Sequence, residues 1–256
     1  MDLGLNDKVA IVTGGSKGIG RAVAHSLLGE GARVLVCARG QEALDETVAA
    51  AGADASGRIG AAAADLARPD AIEAVVQRCQ GAFGGVDILV NNAGSTRPGE
   101  FLKLSDEAWM EDWSLKFFGY VRMAREVIPI MEQRGGGVII NVIGTGALRP
   151  AAGFMIGGAV NAALNHFTKA LADEGARHGV RVVGVNPGPI MTERLRRFLP
   201  PGEEAEKAMR RSTPLGRAGK PEEVADLVAF LASDRAAFIH GANVTIDGGA
   251  NTGLMG

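Results

Sequence analysis

Thr13-Gly14-Gly15-Ser16-Lys17-Gly18-Ile19-Gly20 decides how this chain is read. The segment follows Val9-Ala10-Ile11-Val12, a short β-type apolar run, and leads into an amphipathic stretch at 21–28. Glycines between a strand and a helix let the backbone turn tightly and come close to a ligand. The helix start then offers unpaired N–H groups and the positive end of its dipole, which suits a pyrophosphate. Gly14, Ser16, Lys17, Gly18, Ile19 and Gly20 are therefore expected to bind a dinucleotide cofactor.

The same alternation continues outward. Apolar runs recur at 33–37, 59–63, 86–90, 138–142, 180–185 and 244–246. Most are apolar on both faces, as in buried parallel strands. Amphipathic stretches separate them at 41–50, 70–83, 106–131, 154–178 and 221–232. Ser105 before Asp106-Glu107, and Pro221 before Glu222-Glu223, have the composition of helix starts. The pattern predicts an α/β fold: one Rossmann-like domain over 1–256, with a doubly wound parallel sheet of about seven strands and helices on both faces. The segment from Pro187 to Gly219 is the least regular, and its 193–213 part is expected to form a substrate lid.

Composition excludes several classes. The chain has 256 residues, 46% of them apolar and 22% charged, with a net charge of −2. That is globular and not disordered. No basic stripe or aromatic platform suggests nucleic acid, and no long apolar run suggests a membrane span. Cys37 and Cys79 are too few for a disulfide framework, and no zinc-like spacing occurs, so no metal site is expected. With no leader pattern, a cytoplasmic location is the default. The clusters Arg194, Arg196, Arg197 and Arg210, Arg211 read as solvated helix surface. A small-molecule substrate is the expected partner.

The end of the second strand bears on cofactor choice. A site preferring NAD(H) carries an acid there for the ribose hydroxyls. Here Ala38 stands at that point and Arg39 follows. A guanidinium suits a 2′-phosphate through paired donors, and Lys17 adds a second cation. NADP(H) is favoured, with NAD(H) still possible.

With these features, the chain resembles the short-chain dehydrogenase/reductase family from end to end. The glycine loop has the family's Thr-Gly-x-x-x-Gly-x-Gly form. Asp65-Leu66 matches the acid position that faces adenine, and Asn91-Asn92-Ala93-Gly94 matches the segment after strand four. Asn186-Pro187-Gly188-Pro189-Ile190-Met191-Thr192 matches the turn that binds the nicotinamide carboxamide in relatives. Pro214-Leu215-Gly216-Arg217 and Ile246-Asp247-Gly248-Gly249 match C-terminal landmarks. The resemblance implies cofactor contacts from Asp65, Leu66, Asn91, Ala93, Gly94, Pro187, Gly188, Ile190 and Thr192. It also implies a homo-oligomer, tetramer or dimer, with the apolar 253–256 end suited to docking on a neighbour.

The catalytic set departs from the family. Relatives use Asn, Ser, Tyr and Lys, with tyrosine as the acid/base. Laid on this chain, those positions hold Lys116, Gly144, Gly157 and Asn161. No serine lies between residues 115 and 211, and the single tyrosine, Tyr120, falls in another helix. Lysine and asparagine have changed places. Lys116 is therefore expected to reach Asn161, with a pKa lowered by desolvation, and to act as an acid or electrostatic stabiliser. Thr145 is the remaining hydroxyl beside the missing serine. The two glycines are expected to widen the pocket. Three functions follow: an NADP(H)-dependent oxidoreductase for a small carbonyl or hydroxyl compound with a non-standard proton donor; a cofactor-binding pseudoenzyme or regulatory partner; or a non-redox lyase or isomerase.

Overall fold

The computed structural model describes residues 2–251. Among them, seven strands form one parallel sheet: β1 Val9–Thr13, β2 Arg33–Ala38, β3 Ile59–Ala63, β4 Ile88–Asn91, β5 Gly137–Val142, β6 Val180–Pro187 and β7 Asn243–Ile246. Their spatial order is β3-β2-β1-β4-β5-β6-β7. The chain direction across the sheet reverses between β1 and β4, and such switch points open a ligand crevice beyond the carboxyl ends of the strands. The helices are α1 Gly18–Gly29, α2 Gln41–Ala50, α3 Pro69–Phe83, α4 Asp106–Gln133, α5 Met155–Gly175, α6 Glu193–Arg196, α7 Glu203–Ser212 and α8 Pro221–Ala232. None is long and apolar enough to cross a membrane.

Strand alternation builds a core on each face of the sheet. From β1, Ala10 and Val12 join Val23, Leu27, Val224 and Val228 of α1 and α8. Val9 and Ile11 point the other way, to Ile72, Val75, Val127 and Met131 of α3 and α4. A third cluster, with Tyr120, Ile156, Val160 and Leu164, joins α4 to α5 beside the crevice.

Element boundaries differ from the sequence pattern where turns intervene. The strand expected at 86–90 runs from Ile88 to Asn91, and α1 begins three residues early, at Gly18, inside the glycine segment itself. The stretch expected as one helix over 154–178 is a 3-10 turn at Ala152–Phe154, then α5, then a second 3-10 turn at Ala176–His178. The 193–213 segment, expected to form a lid, contains α6 and α7. The 253–256 end lies outside the described residues.

Candidate active site

The cofactor end is assembled by two loops that share hydrogen bonds. The Thr13 hydroxyl donates to the Val90 carbonyl (3.3 Å) and accepts from the backbone N–H groups of Asn92 (2.8 Å) and Ala93 (2.9 Å). Asn92 Nδ2 donates to the carbonyls of Thr13 (3.0 Å) and Gly14 (3.2 Å). The ends of β1 and β4 are thus tied together, and the glycines fit the remaining space. Gly14 and Gly18 have φ of +64° and +53°. A Cβ on Gly14 would lie 2.9 Å from Ala93 Cα, and one on Gly20 would overlap the Gly14 carbonyl. Only glycine allows this close approach at a helix start.

This loop borders a cavity of about 350 Å³ whose lining includes Gly14, Ser16, Lys17, Arg39, Leu66 and Ala93. Lys17 and Arg39 are exposed on its rim. Lys17 Nζ lies 3.4 Å from Glu193 Oε2, which links the glycine loop to α6. Asp65 sits beside this cleft without lining it, and its carboxylate accepts from the Ala67 N–H (3.1 Å).

Asn91 does not belong to the cleft as expected. It is the last residue of β4, fully buried and in register with Asn141 of β5. Neighbours in register point to the same face, and Asn91 Nδ2 donates to Asn141 Oδ1 (3.0 Å). Asn141 Nδ2 in turn donates to Thr168 Oγ1 of α5 (2.9 Å). Asn91 thus ties β4 to β5, and Asn141 carries the link on to α5; Asn92, the neighbour of Asn91 and not singled out from the sequence, holds the glycine loop.

A second cavity, of about 450 Å³, adjoins the first, and Gly94 lines both. Lys116, Thr145 and Asn161 line this second cavity, as do Ile19, Pro187, Gly188, Ile190 and Thr192. Lys116 rises from α4 with its stem against Gly94, where a Cβ would sit 2.7 Å from Lys116 Cγ. Its ammonium donates to the Ile143 carbonyl (2.8 Å) and to Asn161 Oδ1 (2.6 Å). The expected Lys116–Asn161 contact is therefore present. Lys116 is only 9% exposed. Burial pushes its pKa down to about 7, and the nearby charge of Arg194 works in the same direction. A lysine nitrogen has three directions for hydrogen bonding beyond its stem. Two are taken by these acceptors, and Lys116 is among the residues that line the cavity.

The two glycines have different surroundings. Gly144 has a φ of +127°, outside the region open to L side chains, and donates its N–H to Asn186 Oδ1 (3.3 Å). Cβ atoms on Gly144 and Gly146 would lie 3.2 Å and 3.1 Å from Asn161 Nδ2, so the Asn161 amide packs on this turn. At Gly157 the expected widening does not occur. The Phe154 ring fills the space above it, and a Cβ there would overlap three ring carbons. Phe154, three residues upstream of Gly157, forms part of the cavity wall. Tyr120 offers no substitute. Its hydroxyl donates to the Val142 carbonyl (2.7 Å), and burial holds its pKa well above the usual range.

The turn after β6 closes the far side. The Gly188 N–H donates to the Ile246 carbonyl (2.9 Å), and a Cβ there would come within 2.5 Å of Asp247 Cβ. Thr192 Oγ1 accepts from the Leu195 N–H (3.3 Å) and caps α6. From α6, Arg194 lines the cavity and donates through Nη2 to the Thr96 carbonyl (2.7 Å). Arg194 is thus a wall residue as well as an exposed one, so the solvated-surface reading holds for it only in part. Arg196 and Arg197 are exposed as well. Phe154 and Arg194 were absent from the expected site. An aromatic one helical turn before a glycine is the one signal that would have pointed to Phe154.

Comparisons with known proteins agree with this architecture. A family model described as Enoyl-(Acyl carrier protein) reductase matches residues 14–251. The 3-oxoacyl-(acyl-carrier-protein) reductase FabG of Vibrio cholerae is 38% identical over 247 residues, covering 96% of this chain and 98% of its own length. A dehydrogenase/reductase SDR family member 4 from Caenorhabditis elegans is 34% identical over 250 residues, covering 96% of each. Among solved structures, L-sorbose reductase from Gluconobacter frateurii, complexed with NADPH and L-sorbose, superposes with a TM-score of 0.93 at 34% identity, covering 99% of this chain and 100% of that one. A 7α-hydroxysteroid dehydrogenase complexed with NADH and 7-oxo glycochenodeoxycholic acid also reaches 0.93, at 30% identity and 99% and 98% coverage.

Proposed function

Because this chain belongs to the short-chain dehydrogenase/reductase family, we propose that it is an NADP(H)-dependent oxidoreductase that interconverts a small carbonyl compound and its alcohol with Lys116 as the proton donor and acceptor. One observation carries this reading: the Lys116 amine is buried between two acceptors, Ile143 O and Asn161 Oδ1, in the wall of the second cavity. The cradle at Gly14 and Gly20, which any Cβ would obstruct, fits a pyrophosphate laid against the start of α1. Lys17 and Arg39 suit the 2′-phosphate, Asp65 and Leu66 the adenine end, and the Pro187–Thr192 turn the nicotinamide end. When bound, the cofactor supplies or accepts the hydride.

The chain itself manages the proton. As an ammonium, Lys116 keeps two N–H groups on Ile143 and Asn161 and presents the third to a carbonyl oxygen. After donating it, the neutral amine keeps both bonds and faces the cavity with a lone pair, ready for the reverse reaction. The nitrogen need not reorient between the two states. A pKa near 7 matches general acid–base work at neutral pH. Asn161 holds the amine in place, and Thr145 supplies a hydroxyl for the substrate oxygen. Phe154, Leu195 and Phe198 give the cavity an apolar side.

Calorimetry with NADPH and NADH, followed by NADPH consumption with activated carbonyls such as 1,2-diketones, tests the reading. Tight NADPH binding with turnover that collapses in Lys116→Met is expected. Failure to bind NADPH overturns it. Binding without turnover on any carbonyl favours a cofactor-binding partner, and product without a change in NADPH absorbance favours a non-redox reaction.

A further inference from the structure

The second cavity has an unusual charge balance. Two cations, Lys116 and Arg194, line it, and no Asp or Glu does among the described residues. The nearest acids are engaged elsewhere. Asp112, one turn before Lys116 on α4, accepts from the Arg97 N–H (2.7 Å) and from Arg97 Nε (3.2 Å). Glu111 accepts from Arg97 Nη2 (2.7 Å), and Glu193 lies against Lys17. Arg194 makes no ion pair among the described residues. Its one bond is to the carbonyl of Thr96, a buried residue. That bond orients the guanidinium without neutralising it, and most of its five N–H donors stay available. A cavity lined by Arg194 and the ammonium form of Lys116, and by no acid, attracts an anion, with Asp112 offsetting part of the Arg194 charge from outside it; a guanidinium favours a carboxylate through paired donors.

We propose that the substrate is an oxo acid: its carboxylate binds Arg194 while its carbonyl faces Lys116, and its apolar body lies along Phe154, Ile190, Leu195 and Phe198. The inference rests on the reading of this cavity as the substrate site, and it adds the class of compound. A volume of about 450 Å³ lies in the range of small-molecule sites. Arg194 is a binding residue in this arrangement, and Lys116 remains the proton donor. The competing anion is the cofactor's own pyrophosphate, which the test separates.

The experiment uses two non-reducible probes of the same shape, 4-phenylbutanoate and the neutral 4-phenylbutanamide, titrated by calorimetry into the protein alone and into the protein with NADPH. The carboxylate is expected to bind roughly 10- to 100-fold more tightly than the amide, the value of charge-assisted hydrogen bonds. Arg194→Met is expected to remove that preference and Arg194→Lys to keep part of it, with NADPH affinity unchanged within about twofold. Equal binding of the two probes overturns the proposal, as does a preference that survives Arg194→Met. Weakening of NADPH itself by Arg194→Met also overturns it, because the guanidinium then belongs to the cofactor. In parallel, 4-oxo-4-phenylbutanoate and its amide are offered with NADPH. Selective carboxylate binding without NADPH consumption would keep the oxo-acid assignment and remove the Lys116 redox reading; turnover without carboxylate preference would do the reverse.

Discussion

The two halves of the crevice obey different constraints. In the cofactor half, between β1, β2 and the glycine loop, each special residue is required by backbone geometry: Gly14 and Gly18 by positive φ, Gly20 by contact with the Gly14 carbonyl. In the other half, between β5, α4 and α5, the positions that the family resemblance assigns to catalysis hold Lys116, Gly144, Gly157 and Asn161, and the space around them is packed and bonded. The departures occur as complementary pairs. Lys116 and Asn161 have exchanged chemistry and still meet (2.6 Å), and Phe154 occupies the volume over Gly157. A half set by main-chain geometry tolerates little change. A half set by side-chain partners can be rewritten, provided both partners change.

This contrast can be broken most directly at Lys116. Lys116→Met is expected to lower kcat for NADPH-dependent reduction by roughly 10²–10⁴, the usual worth of general acid catalysis, and to leave NADPH affinity intact. Steady-state kinetics beside calorimetry would show the split; weakened NADPH binding would mean that the halves are not separable. The reverse split is expected from Gly20→Ala. Its methyl group meets the Gly14 carbonyl, so NADPH binding should weaken by at least about tenfold and stability should fall by roughly 1–3 kcal/mol. Arg39→Ala is a smaller change at an exposed site. NADPH Kd should rise about tenfold while NADH Kd stays nearly constant; equal effects on both would remove Arg39 from the 2′-phosphate site.

The smallest effect on activity, and the sharpest on the pairing argument, comes from putting the family's acid back. Gly157→Tyr should give no gain in rate and a melting temperature lower by about 2–10 °C, since the Phe154 ring already fills the space. Phe154→Ala in the same chain should restore much of that stability. If Gly157→Tyr alone folds normally and accelerates reduction, the paired-replacement account fails.

The sequence was legible where constraints are local. Thr13 to Gly20 announces its geometry because a strand, glycines and a helix start adjoin in the chain, and the switch from period 2 to helical spacing outlines the sheet. The Lys116–Asn161 contact was foreseeable because a charge and its partner had changed places. Side-chain direction was not legible. Asn91 turns into the sheet because β4 and β5 are in a register that pairs it with Asn141. Phe154 covers Gly157 because a 3-10 turn at Ala152–Phe154 precedes α5. Arg194 lines the cavity because its guanidinium is held on the Thr96 carbonyl, 98 residues away in the chain. Each depends on packing between segments far apart in the chain.

The pH dependence of kcat/KM for NADPH-dependent carbonyl reduction, from pH 6 to 9, tests the central claim most directly. Reduction needs the ammonium form of Lys116, whose pKa burial lowers to about 7. The rate should therefore be highest at the acid end and fall as pH rises through about 7, with alcohol oxidation showing the opposite trend. Lys116→Met should give a low and flat profile. A wild-type profile that is flat from pH 6 to 9, or a Lys116→Met variant that keeps the full rate and its pH dependence, would contradict the assignment of Lys116 as proton donor.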